Sequence, residues 1–358
     1  ILSDSFCLIQ LSDRRSPVCP KCRISSVVFF CCVGLLYNKI QIRYVFSFTK
    51  QINMIKRFSL FCAALTMAVM LLTSCKTRED VSGYAPTEVY ANDTLLKSLT
   101  NKRAMIVLAH DDDMCAMSGT IAMLNKQGWE IAVVSFSKTP ERNAAQVEAC
   151  RDILDTVLFI NLSPAQIRND KEDERRSYFA FPKDSFDVVF NRKIIEEEYL
   201  ECINQFNPEV IFTLDNEMGG YGHPEHVLIS QMVLDLTAES RISPAYIYQS
   251  VYTNHMENSI MQRHSQRMKS WGFPGDEWEK AKKTYGVGGM PEPTVQVNIT
   301  DEAETKMNYL RSYNKRERKT LGFFIPAFED YRAKEYFTLF DREFFRVIEA
   351  EALKNGQF

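Results

Sequence analysis

Short apolar runs that break off at polar loops and lead into helical stretches constrain this chain more than any other feature. Arg103 to Ala109 (RAMIVLA) stops at a polar cluster, and apolar residues then recur at helical spacing from Cys115 to Lys126, where Gly128 ends them. Glu130 to Phe136 predicts a second buried strand, Glu141 to Leu154 a second helix and Val157 to Leu162 a third strand. Asn191 to Phe206 reads as a helix, Glu209 to Leu214 as a strand, Asp215 to Gly222 as a Gly-rich loop and Pro224 to Leu236 as a helix, with Ala245 to Gln249 a further candidate strand. Such alternation predicts an α/β fold: a Rossmann-like, mostly parallel sheet with helices on both faces and right-handed crossovers. Gln166 to Phe186 interrupts it as a charged surface insertion or flap, and Ser259 to Pro293 follows no clear period. Asp301 to Arg318 and Arg332 to Leu353 read as helical, which gives a C-terminal helical and irregular extension.

The N-terminal part has a different character. Residues 1–53 contain no methionine and mix apolar runs with basic residues without amphipathic period, as expected of upstream translation outside the working protein. From Met54, the basic Lys56 and Arg57 precede the apolar Phe58 to Leu72, and Leu72-Thr73-Ser74-Cys75 closes the segment with small residues before a cysteine. That order is a secretion signal, shorter than the roughly 20 apolar residues of a transmembrane helix. Leu72 to Cys75 resembles the lipobox of bacterial lipoproteins, which implies Cys75 as the lipidated first residue of a chain held at the bacterial cell envelope; an uncleaved anchor or a plain secretory signal are the alternatives. The expected organisation is therefore leader (1–53), signal peptide and lipobox (54–75), tether (76–100), catalytic-size domain (101–325) and extension (326–358).

Without residues 1–74 the formal charge is about −10, against −3 for the whole chain, so nucleic acid is not an expected partner. Seven of the ten cysteines lie at or before Cys75; the remaining three, Cys115, Cys150 and Cys202, are odd in number and widely spaced, which excludes a disulfide framework.

Two polar clusters carry chemistry, and both are placed where an open parallel sheet binds ligands, outside the carboxyl ends of strands. In His110-Asp111-Asp112-Asp113, three carboxylates and an imidazole crowd together, which a cation would compensate; alternatively Asp113 caps the following helix. In Gly219-Gly220-Tyr221-Gly222-His223-Pro224-Glu225-His226, Pro224 suits a first helical position, so His223 becomes the cap and His226 follows within the first turn. Three of the five histidines fall in these two loops. Mixed nitrogen and oxygen donors from His110, Asp113 and His226 suit a three-ligand zinc site with one open position. A magnesium site built on the three aspartates is the alternative, though it leaves the histidines without a role.

These loops resemble the motifs of the PIG-L/LmbE-like family of zinc-dependent N-deacetylases, which remove acetyl groups from N-acetylated sugars and related amides. The family's Ala-His-Pro-Asp-Asp-Glu is matched by Ala109-His110-Asp111-Asp112-Asp113-Met114, its His-Pro-Asp-His by His223-Pro224-Glu225-His226, and its Pro-Asp-Val-Val strand by Pro208 to Phe212. The likeness runs from about Lys102 to Gln249, with an echo near Val295 to Thr320. It implies Zn2+ on His110, Asp113 and His226, Asp112 as general base, protonated His223 as oxyanion stabiliser and proton donor, Glu225 orienting that histidine, and Tyr221 as a further donor. Two departures stand out: Asp111 in place of proline, expected to loosen the loop and add charge beside the metal, and Met114 in place of glutamate. The family's Arg-x-x-Glu helix motif is not evident, since Asn143 and Gln146 offer amides. The activity implied is hydrolysis of an N-acetyl group on a sugar or glycoconjugate. The competing expectations are a glycan-binding lipoprotein with weakened catalysis, motivated by those departures, and a metal-dependent esterase or phosphohydrolase. Tyr178, Phe179, Phe181, Trp271 and Trp278 are candidates for stacking on sugar rings, or else for packing.

Overall fold

The structure is a computed structural model that describes residues 9–10, 78–169 and 179–357. The rest of the leader, the signal segment, Cys75 and Tyr178 lie outside the described residues. Its sheet is made of β1 (Ile9–Gln10), β2 (Ala91–Asn92), β3 (Arg103–Val107), β4 (Glu130–Phe136), β5 (Thr156–Ile160), β6 (Val210–Leu214), β7 (Tyr246–Val251), β8 (Val295–Asn298) and β9 (Arg342–Glu349), in the order β1-β5-β4-β3-β6-β7-β9-β8-β2. Strands β5, β4, β3, β6 and β7 run parallel to one another, as the alternation of strand and helix predicts, while β1 is antiparallel to β5 and β9 is antiparallel to both β7 and β8. Near-continuous burial of β3 and β6 reflects a sheet covered on both faces, and two apolar clusters, one on each side, form the core.

Several expectations change in detail. The helix expected from Cys115 begins at Ser118, after a 3-10 turn over Asp113–Ala116. The unordered Ser259 to Pro293 stretch holds most of the Asn254–Ser270 helix and all of Glu277–Tyr285. Asp301 to Arg318 is two helices, Ala303–Ser312 and Lys315–Phe324, because Asn314 caps the second by accepting from the Arg316 and Glu317 N–H groups. The helical reading of Arg332 to Leu353 is corrected: Ala333–Leu339 is helical, but β9 occupies Arg342–Glu349 inside the sheet. Its Glu343 and Arg346 are paired with other side chains there. Arg346 Nε donates to Gln249 Oε1 on β7 at 2.8 Å, and Glu343 forms a buried ion pair with Lys306.

Glu343 does more than neutralise a lysine. It accepts hydrogen bonds from Gly119 N at 2.8 Å and Thr120 N at 2.7 Å, so a carboxylate from β9 satisfies the open N-terminus of the helix that follows the first polar loop. Gly119 must be glycine, since a Cβ there would stand 2.9 Å from three atoms of the Ile299 side chain. Glu343→Ala strands the Lys306 charge and two N–H groups together and is expected to lower stability by about 3 kcal/mol, while pairing it with Lys306→Met should recover part of the loss. Urea unfolding of the two variants checks this; an additive double variant would contradict the coupling.

Candidate metal centre

The order of strands reverses between β3 and β6, which both turn their carboxyl ends to the same edge, and the two polar loops leave from there. The first loop is held from several sides. Tyr199, fully buried on the Arg192–Phe206 helix, donates to Leu108 O at 2.7 Å, and Tyr313 donates to Asp111 O at 2.6 Å. The second loop winds around the buried Asp215, whose carboxylate accepts from the N–H groups of Glu217, Met218 and Gly220 at 3.0, 2.6 and 2.7 Å. Its turn needs glycine at 219, where φ is +58° and a Cβ would lie 2.7 Å from His226 Cβ.

His110, Asp113 and His226 come together as expected. His110 Nδ1 lies 2.8 Å from His226 Nε2, Asp113 Oδ1 lies 3.1 Å from His226 Nε2, and Asp113 Oδ2 is 3.6 Å from His110 Nδ1. Donors about 2.0–2.1 Å from a tetrahedral zinc stand about 3.4 Å from each other, so these separations fit one ion. The partners on the far side of each ring decide what the near side offers. His226 Nδ1 faces Gly219 O at 2.8 Å, and His110 Nε2 faces Glu225 Oε2 at 2.7 Å. Assigned from these acceptors, the ring protons of the neutral tautomers point outward, and two imidazole lone pairs converge with a carboxylate. Three acceptors aimed at one point need a cation or a proton between them.

His223 lies alongside: one ring nitrogen from each of His110, His223 and His226 forms a group within 4.8 Å. We place His223 outside the ligand set because its Nδ1 accepts from Glu225 N at 3.2 Å, which closes the first turn of the Pro224–Ala238 helix and puts the ring proton on Nε2. Burial, reinforced by His226 and His110, holds its pKa well below the ordinary value, so it stands as a neutral imidazole and not the protonated one expected. Glu225 meets both histidines: its carboxylate lies 2.7 Å from His110 Nε2, and its backbone N–H donates to His223 Nδ1. Tyr221 stacks on Phe324, with ring centroids 4.3 Å apart, and stands edge-on to His226 at 5.3 Å.

Asp111 neither loosens the loop nor adds charge at the cluster. Its fully buried carboxylate turns to Arg142, with Oδ2 3.0 Å from Nε and Oδ1 2.6 Å from Nη2, and Nη2 also lies 3.2 Å from Asp112 Oδ1. Met114 is buried in the core. Arg142 is the residue that the sequence reading missed. It sits on the Pro140–Cys150 helix, one position before the Asn143 where a charged residue was sought.

Although burial and Lys138 oppose its charge, the Asp113 and Glu225 carboxylates raise the His110 pKa to about 9, and the same histidines hold Asp113 well below the usual carboxylate range despite its burial. An ion can use the His110 lone pair only after that proton leaves. Zinc affinity should therefore rise about tenfold per pH unit up to roughly pH 9, with one proton released from His110 per ion, and flatten above it. Calorimetry in buffers of differing ionisation heat reads the proton count; affinity that is flat between pH 6 and 8 would contradict it. Gly219→Ala should cost at least tenfold in affinity, since His226 must move.

The PIG-L family model, described as GlcNAc-PI de-N-acetylase, matches residues 105–237. No curated protein is significantly similar to the chain. Among solved structures, N,N'-diacetylchitobiose deacetylase from Pyrococcus horikoshii aligns at 13% identity over 70% of this chain and 85% of its own, with a TM-score of 0.41. A 4-carboxy-2-hydroxymuconate hydratase from Pseudomonas putida aligns at 12% over 69% and 96%, with a TM-score of 0.40. The zinc-inhibited form of teicoplanin deacetylase Orf2 aligns at 12% over 69% and 98%, with a TM-score of 0.38. These likenesses are too distant for the substrate of any of them to bear on this chain. The match to the PIG-L family model thus spans both polar loops, and the segment 105–237 is similar to that family.

Proposed function

We propose that the chain is a zinc-dependent hydrolase that removes an N-acetyl group from an N-acetylated sugar or glycoconjugate. The observation that carries it is the convergence of the His110 and His226 lone pairs with the Asp113 carboxylate, beside Asp112 and His223, in a segment of PIG-L type. When bound, zinc supplies Lewis acidity to the scissile amide and to the attacking water.

The surrounding side chains divide the remaining work. Asp112 is outside the three-donor set and stays partly exposed, at 15% of its side chain, with one oxygen tied to Arg142. It takes the proton of the attacking water as general base and returns it to the departing amine, so no proton is gained or lost overall. His223, neutral, donates its Nε2–H to the oxygen that gains charge as the carbonyl is attacked. Arg142 keeps Asp111 and Asp112 apart in their roles, one ion-paired with it and buried, the other partly exposed. The reading of a weakened glycan binder loses its motive, because the two departures from the family motif point away from the donors.

Acetate release from a panel of N-acetylhexosamines tests the proposal directly. Asp112→Asn is expected to lower kcat by at least about a hundredfold while zinc content stays near one per chain; equal activity would remove Asp112 as base, and zinc binding without turnover on any N-acetylated sugar would overturn the hydrolase reading. The lipid anchor remains a separate proposal of the sequence: incorporation of labelled fatty acid in cells, lost in Cys75→Ser, supports it, and unlabelled protein overturns it.

A further inference from the structure

Beyond Tyr221 the rings do not end. Phe324, stacked on Tyr221, lies 6.3 Å from Phe323 between centroids, and Phe323 lies 5.4 Å from Trp271. Trp271 is 45% exposed and the neighbouring Phe273 44%. An aromatic line thus leads from the candidate metal centre to the surface in steps of a few ångströms. It is carried by the Lys315–Phe324 helix, which spans the two motif loops: Tyr313, just before it, holds Asp111 O, and Phe324 at its end covers Tyr221.

The same surface inverts the charge of the protein. The Asn254–Ser270 and Lys315–Phe324 helices are joined by a hydrogen bond from Arg263 Nη1 to Gly322 O at 2.9 Å. Between them they carry seven lysines and arginines, and their two acids, Glu257 and Glu317, are both buried. Arg267 lies 4.8 Å over the Phe323 ring and Lys319 lies 5.0 Å over the Trp271 ring. Lys315, Arg316 and Lys319 are exposed and have no carboxylate within ion-pair distance among the described residues. In a chain of net negative charge, an exposed ring such as Trp271 beside the unpaired Lys319 is costly to keep unless something covers it. Rings stack on the apolar faces of pyranoses, and ammonium or guanidinium groups pair with carboxylates.

We propose that Trp271, Phe323 and Lys319 form a binding subsite for the part of the substrate beyond the N-acetylated residue, and that this part is an acidic oligosaccharide. The inference rests on the hydrolase reading for what happens at the metal centre, but the binding itself does not. Trp271 is the only exposed one of the three tryptophans, since Trp129 is 3% and Trp278 9% exposed, so its fluorescence reports the subsite without turnover.

The test titrates the whole protein with a hyaluronan tetrasaccharide, which alternates uronic acid with N-acetylhexosamine, and with uncharged chitotetraose. The acidic probe should quench Trp271, bind about tenfold more tightly than the neutral one at low salt and lose that advantage at high salt. Lys319→Gln should raise its Kd about tenfold, and Trp271→Ala should abolish the signal and raise the KM for that tetrasaccharide far more than it changes kcat; both side chains are exposed, so the fold tolerates their loss. Quenching without acetate release from any sugar would keep the subsite and sink the hydrolase. Acetate release with no quenching, or with equal binding of the two probes, would keep the hydrolase and overturn the acidic subsite.

Discussion

Everything at the centre of this protein depends on one electrostatic conflict: two imidazole lone pairs and a carboxylate aimed at a single point. Such a convergence is unfavourable unless positive charge sits among the three, and the fold spends much of its local structure in maintaining it. Glu225 and Gly219 O turn the outer ring protons away from the cluster. Asp215 winds the second loop so that His226 can approach, and Tyr199 and Tyr313 hold the first loop by its carbonyls. The acids nearest the cluster are sorted by the same logic. Asp113 stays with the histidines, while Arg142 draws Asp111 and one oxygen of Asp112 to the other side.

Much of this was legible in the sequence because it is local. Strands β3, β4 and β6 announce themselves as short apolar runs, and the polar loops follow them directly, so His110, Asp113, His223 and His226 could be named and brought to one sheet edge. What was not legible depends on residues far apart. The Asp111–Arg142 pair joins positions 31 apart, and no period of the chain signals it. Strand β9 carries Glu343 and Arg346 among its apolar residues, which imitates an amphipathic helix until Lys306 is seen to pair with the first and Gln249 to accept from the second. That the Glu225 carboxylate reaches His110 is a matter of side-chain direction, which adjacency in sequence does not reveal.

The Lys315–Phe324 helix gives the site its asymmetry. One side of the mouth is bounded by loops that the strands themselves project, and the other by a separate segment that enters late in the chain and touches both. Its N-terminal end reaches the loop of β3 through Tyr313, and its C-terminal end reaches the loop of β6 through Phe324. A shift of this helix would be felt at both loops together.

The brace formed by Tyr313, Phe324 and Glu343 also means that the segment 105–237 is not a portable cassette. All three braces lie after the last residue that the family model matches. A chimera that carried both motifs intact but replaced the C-terminal third would keep every proposed donor and lose what holds the donors still. Drift in that third is therefore as able to retune this centre as drift in the motifs, and comparing motifs alone would not detect it.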